Sequence, residues 1–386
     1  MTARTARRWG LATLVAFAAG CSNEESPASA SVPTVEARVD LVIGASDGPD
    51  EYIFGRIGGM ALGPKGQIYV ADAQADEVRE YDATGEYVRR LAGRGAGPGE
   101  VGGPCCLTVD RDGVLWLRDT GNARYNAYDI ATDPPFYREL RRMSHGSAGY
   151  WVAPTFSPVG HLIDVGHRTQ SPIGPELVRF FLDSSSAVTS TETVPSPPSD
   201  SLSMYTVERK TSAGLPLIAY LYQPFGPQHL VAHSPHGGWA TAVSSRYAVR
   251  WIGPDSTFDR RLSDVWVGPA LSAGERARAD SSIERDRARW EVPRGQVPFD
   301  VPTAKPPLRA LQFDALGRLW VFLTVEENAV QLADVYDRAG RRVLRVSWPA
   351  DVDLRGGYLG DGTLLGVRRD DLDVPYVVRL SLPVTE

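Results

Sequence analysis

Arginine is the residue type with the clearest chemical potential in this chain, because it recurs in short polar stretches that follow apolar runs. Its guanidinium group presents a rigid fork of donors that matches carboxylates, phosphates and sugar acids. The candidate ligand-binding residues, one histidine among them, are Arg94, Arg118, His167, Arg168, Arg246 and Arg368. They are far apart in the sequence. They can therefore form one site only if the fold gathers these polar stretches on one surface.

A repeat supplies such a fold. Each copy has apolar residues, a tight turn with glycine and then an aliphatic–aromatic run. The clear copies are residues 61–72, 107–119 and 310–322, and the weaker copies are residues 155–165, 230–243 and 357–367. The turn glycines are Gly66, Gly113, Gly160, Gly237, Gly317 and Gly362. The shorter intervals between them, 45 and 47 residues, are typical of propellers and solenoids, in which each unit packs only against its neighbours.

The repeats predict β-strands in antiparallel hairpins. Residues 114–118 and 318–322 are branched and aromatic, as expected of strands covered on both faces, and the Asp and Gly residues before them favour turns. Second hairpins are predicted over residues 77–91 and 329–347. Six units of four strands predict an all-β chain that forms a six-bladed β-propeller. Residues 35–43 are expected to close the ring by pairing with residues 374–382 in the last blade.

Two long intervals interrupt the repeat, and a seven-bladed ring is the alternative if they hide one more copy. Residues 184–202 are rich in Ser, Thr and Pro and predict an exposed loop. Residues 272–290 predict the one inserted helix, with Ser272 and Glu275 forming a capping box at its start. Its mixed charges favour a solvated helix between blades, and a lid or docking element is the alternative.

Residues 66–100 and 112–129 resemble the NHL-repeat group of six-bladed propellers, and residues 93–100 resemble its blade-to-blade linker. In such a ring, the loops between second and third strands, and those between blades, gather around the channel on one face, here called the funnel face. The funnel-face loops are residues 71–77, 118–124, 166–171, 244–246, 324–328 and 368–373. Asp72 and Asp119 occupy the same place in their repeats, which favours a framework role for both.

The function expected from this arrangement is non-catalytic binding of a small anionic ligand or a protein partner on the funnel face. The resemblance also implies an alternative, because relatives include lyases and lactone hydrolases that hold a channel metal with His, Glu, Asn or Asp. No recognisable set of such ligands assembles from the sequence. His229, His233 and His236 lie in a strand and turn, a spacing that disfavours zinc, and no HExxH motif is present. The sequence requires no cofactor and leaves a channel calcium or zinc ion open.

The first residues predict export. Arg4, Arg7 and Arg8 precede a short apolar run that ends before Cys21, which predicts a lipoprotein signal over residues 1–20 with Cys21 as the lipidated residue. Ala18 stands where lipoproteins usually have Leu, so an ordinary secretory signal is the alternative. Residues 21–33 then predict a flexible tether and residues 34–386 the propeller. The protein is expected at the bacterial cell envelope, in the periplasm or on the outer surface, with the membrane and an envelope protein as partners.

Composition excludes one class of partner and leaves one question about cysteine. The chain has 41 Lys and Arg against 47 Asp and Glu, a formal net charge of −6, which argues against nucleic acid. Beyond Cys21 only the adjacent Cys105 and Cys106 remain, without a CxxC motif. One buried and one exposed thiol are expected, and a vicinal disulfide is the alternative.

Overall fold

The turn glycines that define the repeat adopt the backbone conformation that the repeat requires. The computed structural model describes residues 32–143, 153–157, 159–168, 176–197, 204–210, 214, 216–254, 257–293 and 300–383. The six glycines have φ between +75° and +96°. They are Gly66, Gly113, Gly160, Gly237, Gly317 and Gly362. A left-handed φ strains residues with a Cβ atom, so glycine at these positions lets each first hairpin turn tightly.

The first half of the described chain forms two short strands and then three four-stranded antiparallel sheets. The two short strands are β1 (Thr34–Glu36) and β2 (Arg38–Ile43), followed by one 3-10 turn at Asp50–Tyr52. Blade 1 comprises β3 (Ile57–Leu62), β4 (Ile68–Asp72), β5 (Glu77–Tyr81) and β6 (Tyr87–Ala92). Blade 2 comprises β7 (Pro104–Val109), β8 (Val114–Asp119), β9 (Arg124–Asp129) and β10 (Phe136–Arg142). Blade 3 comprises β11 (Thr155–Phe156), β12 (Leu162–Arg168), β13 (Glu176–Leu182) and β14 (Val188–Thr193).

The second half adds a hairpin, three more blades and a helix. The hairpin is β15 (Met204–Lys210) and β16 (Pro216–Tyr222). Blade 4 comprises β17 (His229–His233), β18 (Trp239–Val243), β19 (Ala248–Ile252) and β20 (Asp259–Ser263). The helix α1 (Ala273–Arg289) follows. Blade 5 comprises β21 (Leu308–Phe313), β22 (Leu319–Leu323), β23 (Gln331–Tyr336) and β24 (Arg342–Trp348). Blade 6 comprises β25 (Val352–Leu359), β26 (Thr363–Arg369), β27 (Pro375–Ser381) and, as its outer strand, β2.

The ring is closed as the sequence predicts, by a strand from the beginning of the propeller. Strand β2 pairs antiparallel with β27, with Val42 opposite Val378. The pairing of residues 35–43 is nevertheless divided between two blades, since β1 adds in parallel to the outer edge of β24 in blade 5. Ala37, 1% exposed, lies between these two strands. The first strands of blades 6 and 1 are also in contact, which completes the circle.

The hydrophobic cores confirm six blades. Six clusters of buried side chains each join two neighbouring blades, so that every interface around the ring has one core. Leu230 and Leu319, for example, share the core between blades 4 and 5. This pattern follows from strands that are apolar on both faces, since each sheet must be covered by the sheet on either side.

The two long intervals pack against each other and form what we call the accessory unit, made of β15, β16 and α1. A seventh cluster joins Val207 and Leu221 of the hairpin to Val292 beyond the helix. Arg209 forms an ion pair of 2.8 Å with Glu291. The second interval therefore holds the predicted helix, and the first holds a two-stranded hairpin rather than a seventh blade.

The ends of the helix are as predicted, while the prediction of a loop over residues 184–202 is partly wrong. Ser272 is the N-cap, and the reciprocal capping box with Glu275 is present. Residues 188–193 form β14, the fourth strand of blade 3. Its side chains are mostly exposed, because an outermost strand has no further sheet to cover it, and its polar composition therefore resembles that of a loop.

Candidate functional site

Asp72 and Asp119 are confirmed as framework residues. The Asp72 carboxylate is buried and accepts backbone N–H groups of Gly55 at 2.8 Å and Gln74 at 2.9 Å. Asp119 is also buried, accepts the N–H of Gly102 at 2.8 Å and forms an ion pair of 2.8 Å with Arg124. Both carboxylates therefore fasten a blade to its preceding linker and have little capacity left for a ligand.

Arg118, predicted to contact a ligand, belongs to the same framework. Its side chain is 2% exposed and forms an ion pair of 3.1 Å with Asp164. The hydroxyl of Tyr125 also donates to Asp164. The guanidinium thus connects blade 2 to blade 3 in the interior, where no ligand on the funnel face would reach it.

The other predicted residues are distributed around the funnel face without forming one cluster. Arg94 is 69% exposed and pairs with Asp76 at 3.0 Å beside blade 1. Arg246 is exposed in the turn between β18 and β19 of blade 4. Arg368, in blade 6, lies 3.7 Å from Asp351.

Two predicted residues cannot be assigned contacts. His167 and Arg168 are the last residues of β12 in blade 3, and their side chains lie outside what the structure describes. Cys21 also lies outside the described residues. Of the six predicted ligand-binding residues, the structure therefore describes exposed side chains for Arg94 and Arg246 and a half-buried one for Arg368, beside three different blades.

The funnel face carries a cavity of about 420 Å³ where blades 4, 5 and 6 meet the accessory unit. This volume lies within the range typical of small-molecule sites. Its polar lining includes Gln228, Ser244, Glu275, Lys305, Arg309, Thr324, Glu326, Glu327, Asn328, Gln331 and Arg355. The loop between β22 and β23 contributes the predicted residues 324–328, and the accessory unit contributes Glu275 from the first turn of α1. The cavity therefore shares Ser244 and residues 324–328 with the predicted funnel-face loops, but its described lining contains none of the six predicted ligand-binding residues.

Most charges of this cavity are already paired. The buried Lys305 ammonium forms an ion pair with the buried Glu275 carboxylate and donates to the carbonyl of Val325 at 3.1 Å. Burial alone would raise the pKa of Glu275, but the hydrogen bonds from Lys305 and Ser272 outweigh it and hold that pKa below its usual value. These contacts fix the start of the helix to the cavity wall.

Glu327 and Arg355 are neutralised in the same way. Arg278 of the helix forms an ion pair with Glu327, and the Ser272 hydroxyl donates to the same carboxylate at 3.2 Å. Arg355 forms an ion pair of 2.6 Å with Asp353. These groups can orient polar atoms of a ligand, but each already has an opposite charge beside it.

Arg309 differs from these residues. It is the extra residue of a β-bulge, because Leu308 pairs with Leu323 and Ala310 pairs with Phe322, which leaves Arg309 outside the ladder. Its side chain is exposed toward the cavity and donates to the Gln331 side-chain oxygen at 2.7 Å. Within the described chain this neutral amide is its one hydrogen-bonding partner.

The electrostatic environment of Arg309 favours an anion. Desolvation by the cavity walls, followed by repulsion from Arg355, lowers the pKa of Arg309 from its ordinary value, and the attraction of Asp353 offsets only part of this shift. An anion bound beside the guanidinium would offset both effects. The Gln331 amide group is itself oriented, since its nitrogen donates to the carbonyl of Ala329 at 3.0 Å.

Comparison with known proteins finds only distant structural similarity. The chain matches no protein-family model and no curated protein. Among solved structures, a candidate exported protein from Bacteroides fragilis is 11% identical, with a TM-score of 0.46 over 92% of this chain and 99% of that one. Virginiamycin B lyase from Staphylococcus aureus is 12% identical, with a TM-score of 0.42 over 84% and 94% of the two chains. The calcium-binding protein regucalcin from Agrobacterium tumefaciens is 12% identical, with a TM-score of 0.36 over 90% and 96%.

The histidines predicted to be poor zinc ligands have separate environments. His229 lies 2.7 Å from the Thr241 hydroxyl, and His236 contacts Arg338. His233 is 7% exposed, and neither of its ring nitrogens has a hydrogen-bond partner. In the part of the chain that the structure describes, no group of three or more His, Cys, Asp or Glu residues is placed to hold a metal ion.

The expectation for the two cysteines is wrong. Cys105 and Cys106 form a vicinal disulfide, and both residues are buried at the start of β7 in blade 2. Cys106 lies in a bulge of β7, where pairing passes from Cys105 directly to Thr108. Gly58 and Gly59 of blade 1 pack against the same segment, so that it is covered from the side.

Sequence reasoning missed Lys305, Arg309 and Arg355 as cavity residues. Arg309 and Arg355 lie on first strands, beside the channel, whereas the prediction was restricted to loops. One signal was available, since Arg309 interrupts an otherwise apolar strand start between Leu308 and Ala310. The sequence carried no such signal for Lys305, because its burial depends on its ion pair with Glu275 of α1, which is far away in the sequence.

Proposed function

We propose that this chain is a non-catalytic exported propeller that binds a small carboxylate-bearing ligand in the funnel-face cavity. The observation that carries the proposal is Arg309, an exposed guanidinium in a cavity of about 420 Å³ whose one partner in the described chain is a neutral amide. Arginine pairs with carboxylates through two parallel hydrogen bonds, which gives both affinity and orientation. Because only one nitrogen of the Arg309 guanidinium donates to Gln331, its other N–H groups are available for a ligand.

The composition of the cavity supports small-ligand binding over a flat protein interface. Its walls come from three blades and from the accessory unit, so that a ligand is enclosed by elements far apart in the chain. Several of its polar groups are fixed in place by hydrogen bonds, as Lys305 and Gln331 illustrate. A preformed concave site with oriented polar groups is typical of small-molecule binding.

Attachment to a membrane is part of the proposal. Among the described residues there is no helix with the length and apolar character needed to cross a bilayer. Lipidation of Cys21, followed by the tether over residues 21–33, would hold the propeller at the cell envelope. Labelling with a radioactive fatty acid, compared between the wild type and Cys21→Ser, tests this point.

Ligand binding is tested by thermal shift and calorimetry with a panel of small carboxylates and their neutral amide analogues. We expect a carboxylate to stabilise the wild type, and we expect its amide to have no effect. Arg309→Gln should abolish this response, whereas Arg261→Gln, at an exposed arginine of β20 outside the cavity, should retain it. Equal losses in the two variants, or no response to any carboxylate, would overturn the proposal.

The metal-dependent lyase or lactone hydrolase stays the alternative prediction. Elemental analysis of the purified protein separates it from the binding function, because a stoichiometric divalent ion that is retained on dialysis would support the enzyme.

A further inference from the structure

A second charged group of the cavity, Glu326, also has no partner of opposite charge. Its side chain is exposed in the loop between β22 and β23, and within the described chain its carboxylate forms neither an ion pair nor a hydrogen bond. The two other carboxylates of the lining differ from it, because Glu275 is paired with Lys305 and Glu327 with Arg278.

Apart from these pairs, the described lining holds one cation and one anion that form no ion pair. The cation is Arg309 and the anion is Glu326, and both line the same cavity. A ligand that carries only a carboxylate would satisfy Arg309 and would at the same time meet the like charge of Glu326. A ligand that also carries an ammonium group would satisfy both residues.

The loop that holds Glu326 is fixed by hydrogen bonds of its own. The carbonyl of Glu326 accepts the N–H of Ala329, and Asn328 has a left-handed φ of +63°. The same turn directs the Ala329 carbonyl to the Gln331 amide, which in turn binds Arg309. Arg309 and Glu326 are therefore connected through one short, hydrogen-bonded segment.

We propose that the ligand is a small zwitterion, an amino acid or a short peptide, whose carboxylate binds Arg309 and whose ammonium group binds Glu326. This inference rests on the proposed function, because it assumes that the carboxylate of the ligand is bound at Arg309. It adds the second recognition group and thereby the chemical class of the ligand. A free amino acid and a short peptide share these two groups, so the test includes both.

The test compares matched ligands by calorimetry at pH 7. Panels of free amino acids and dipeptides are measured beside their N-acetylated and C-amidated forms. For any member that binds, we expect both modifications to weaken wild-type binding about tenfold or more, since each removes a charge-assisted contact. If a free amino acid binds as tightly as the dipeptides that contain it, one amino acid is sufficient as the ligand.

Variants then assign the ammonium group to Glu326. Glu326→Gln should lose the discrimination between free and N-acetylated ligand and should keep the preference for carboxylate over amide. Glu208→Gln is the matched control, because Glu208 is an exposed glutamate of β15 outside the cavity. Melting of each variant without ligand verifies that it is folded, which is expected for exposed positions.

A pH titration provides a measurement without mutation. The α-amino group of a peptide loses its proton near pH 7.7 to 8.0, so wild-type binding of a dipeptide should weaken between pH 7 and 9. Binding to Glu326→Gln should not change over this range.

The possible failures are distinguishable. Equal binding of free and N-acetylated ligands, or unchanged discrimination in Glu326→Gln, would overturn the zwitterion and leave the carboxylate site intact. No response to any carboxylate, acetylated or free, would overturn the proposed function and this inference with it.

Discussion

Two arginines of the funnel face show how differently the two sides of the ring use the same side chain. Arg124 in blade 2 is buried and donates to the carbonyls of Ala96, Gly97 and Glu100 at 2.9, 3.0 and 2.7 Å. It also pairs with the buried carboxylate of Asp119. Arg309 in blade 5 has one neutral partner and faces a cavity.

The difference lies in what covers each guanidinium. Between blades 1 and 2 the linker over residues 93–103 folds back onto Arg124 and fills the space above it. Arg309 instead lies beside a cavity whose lining includes Glu275 of the accessory unit. We call the region of Arg124 and the linker over residues 93–103 the closed side of the ring, and the region of Arg309 and the cavity the open side. On the closed side the guanidinium is part of the framework, whereas on the open side it faces a cavity.

The largest expected effect comes from breaking the closed side. In Arg124→Gln, the Asp119 carboxylate stays buried without its counter-ion and three carbonyls lose their donor. We expect the free energy of unfolding to fall by about 3 to 5 kcal/mol, the usual result when one partner of a buried ion pair is removed. Chemical denaturation of the two proteins measures this loss.

Arg309→Gln is the control for that experiment. Because Arg309 is exposed and its partner is a neutral amide, its replacement should change the free energy of unfolding by less than about 1 kcal/mol. Similar losses of unfolding free energy in the two variants would mean that Arg309 also stabilises the fold. The contrast between the two arginines would then be wrong.

The interface between blades 3 and 4 offers an intermediate case. His233 is buried beside Arg179, and desolvation, followed by the charge of Arg179, lowers its pKa to about 3. Below pH 6.5 the unfolded chain binds a proton at this histidine, whereas the folded chain does not. Stability should therefore fall as the pH falls, by about 2 kcal/mol between pH 6.5 and 5 from this residue alone.

His233→Phe tests this dependence, because phenylalanine keeps the buried ring and cannot be protonated. The variant should lose less stability than the wild type between pH 6.5 and 5, as measured by denaturation at several pH values. Identical pH dependence in both proteins would show that folding does not lower the pKa of His233.

The architecture was largely predictable, because it depends on local signals. A tight Gly turn between apolar strands is written in a few adjacent residues, as around Gly113 and Gly317, and both turns have the expected left-handed φ. The capping box of Ser272 and Glu275 is equally local. The division of residues 35–43 between two blades was not predictable, since β1 and β2 pair with β24 and β27, which lie about 300 residues away in the sequence.

A sharper test of the open side replaces the geometry of Arg309 while keeping its charge. Arg309→Lys retains a cation but loses the planar fork that binds a carboxylate through two bonds. We expect affinity for a carboxylate ligand to fall by about tenfold, less than in Arg309→Gln, as measured by calorimetry. Equal affinities for wild type and Arg309→Lys would indicate attraction by charge alone.

The site was less predictable than the fold, for a physical reason. Loop residues such as Glu326 could be assigned to the funnel face from the strand pattern. Whether an arginine is free depends on which groups lie above it, and those come from distant segments. Arg118 was predicted as a contact and is held by Asp164, whereas Arg309 was not predicted and faces the cavity.

The smallest expected effect concerns the vicinal disulfide of the closed side. A disulfide stabilises mainly by restricting the unfolded chain, and the restriction grows with the number of residues between the two cysteines. Cys105 and Cys106 are adjacent, so their bond closes almost no loop. Reduction by a dithiol in denaturant, followed by refolding, should change the free energy of unfolding by about 1 kcal/mol or less. A loss comparable to that of Arg124→Gln would mean that the bond, and not the linker over Arg124, holds the closed side together.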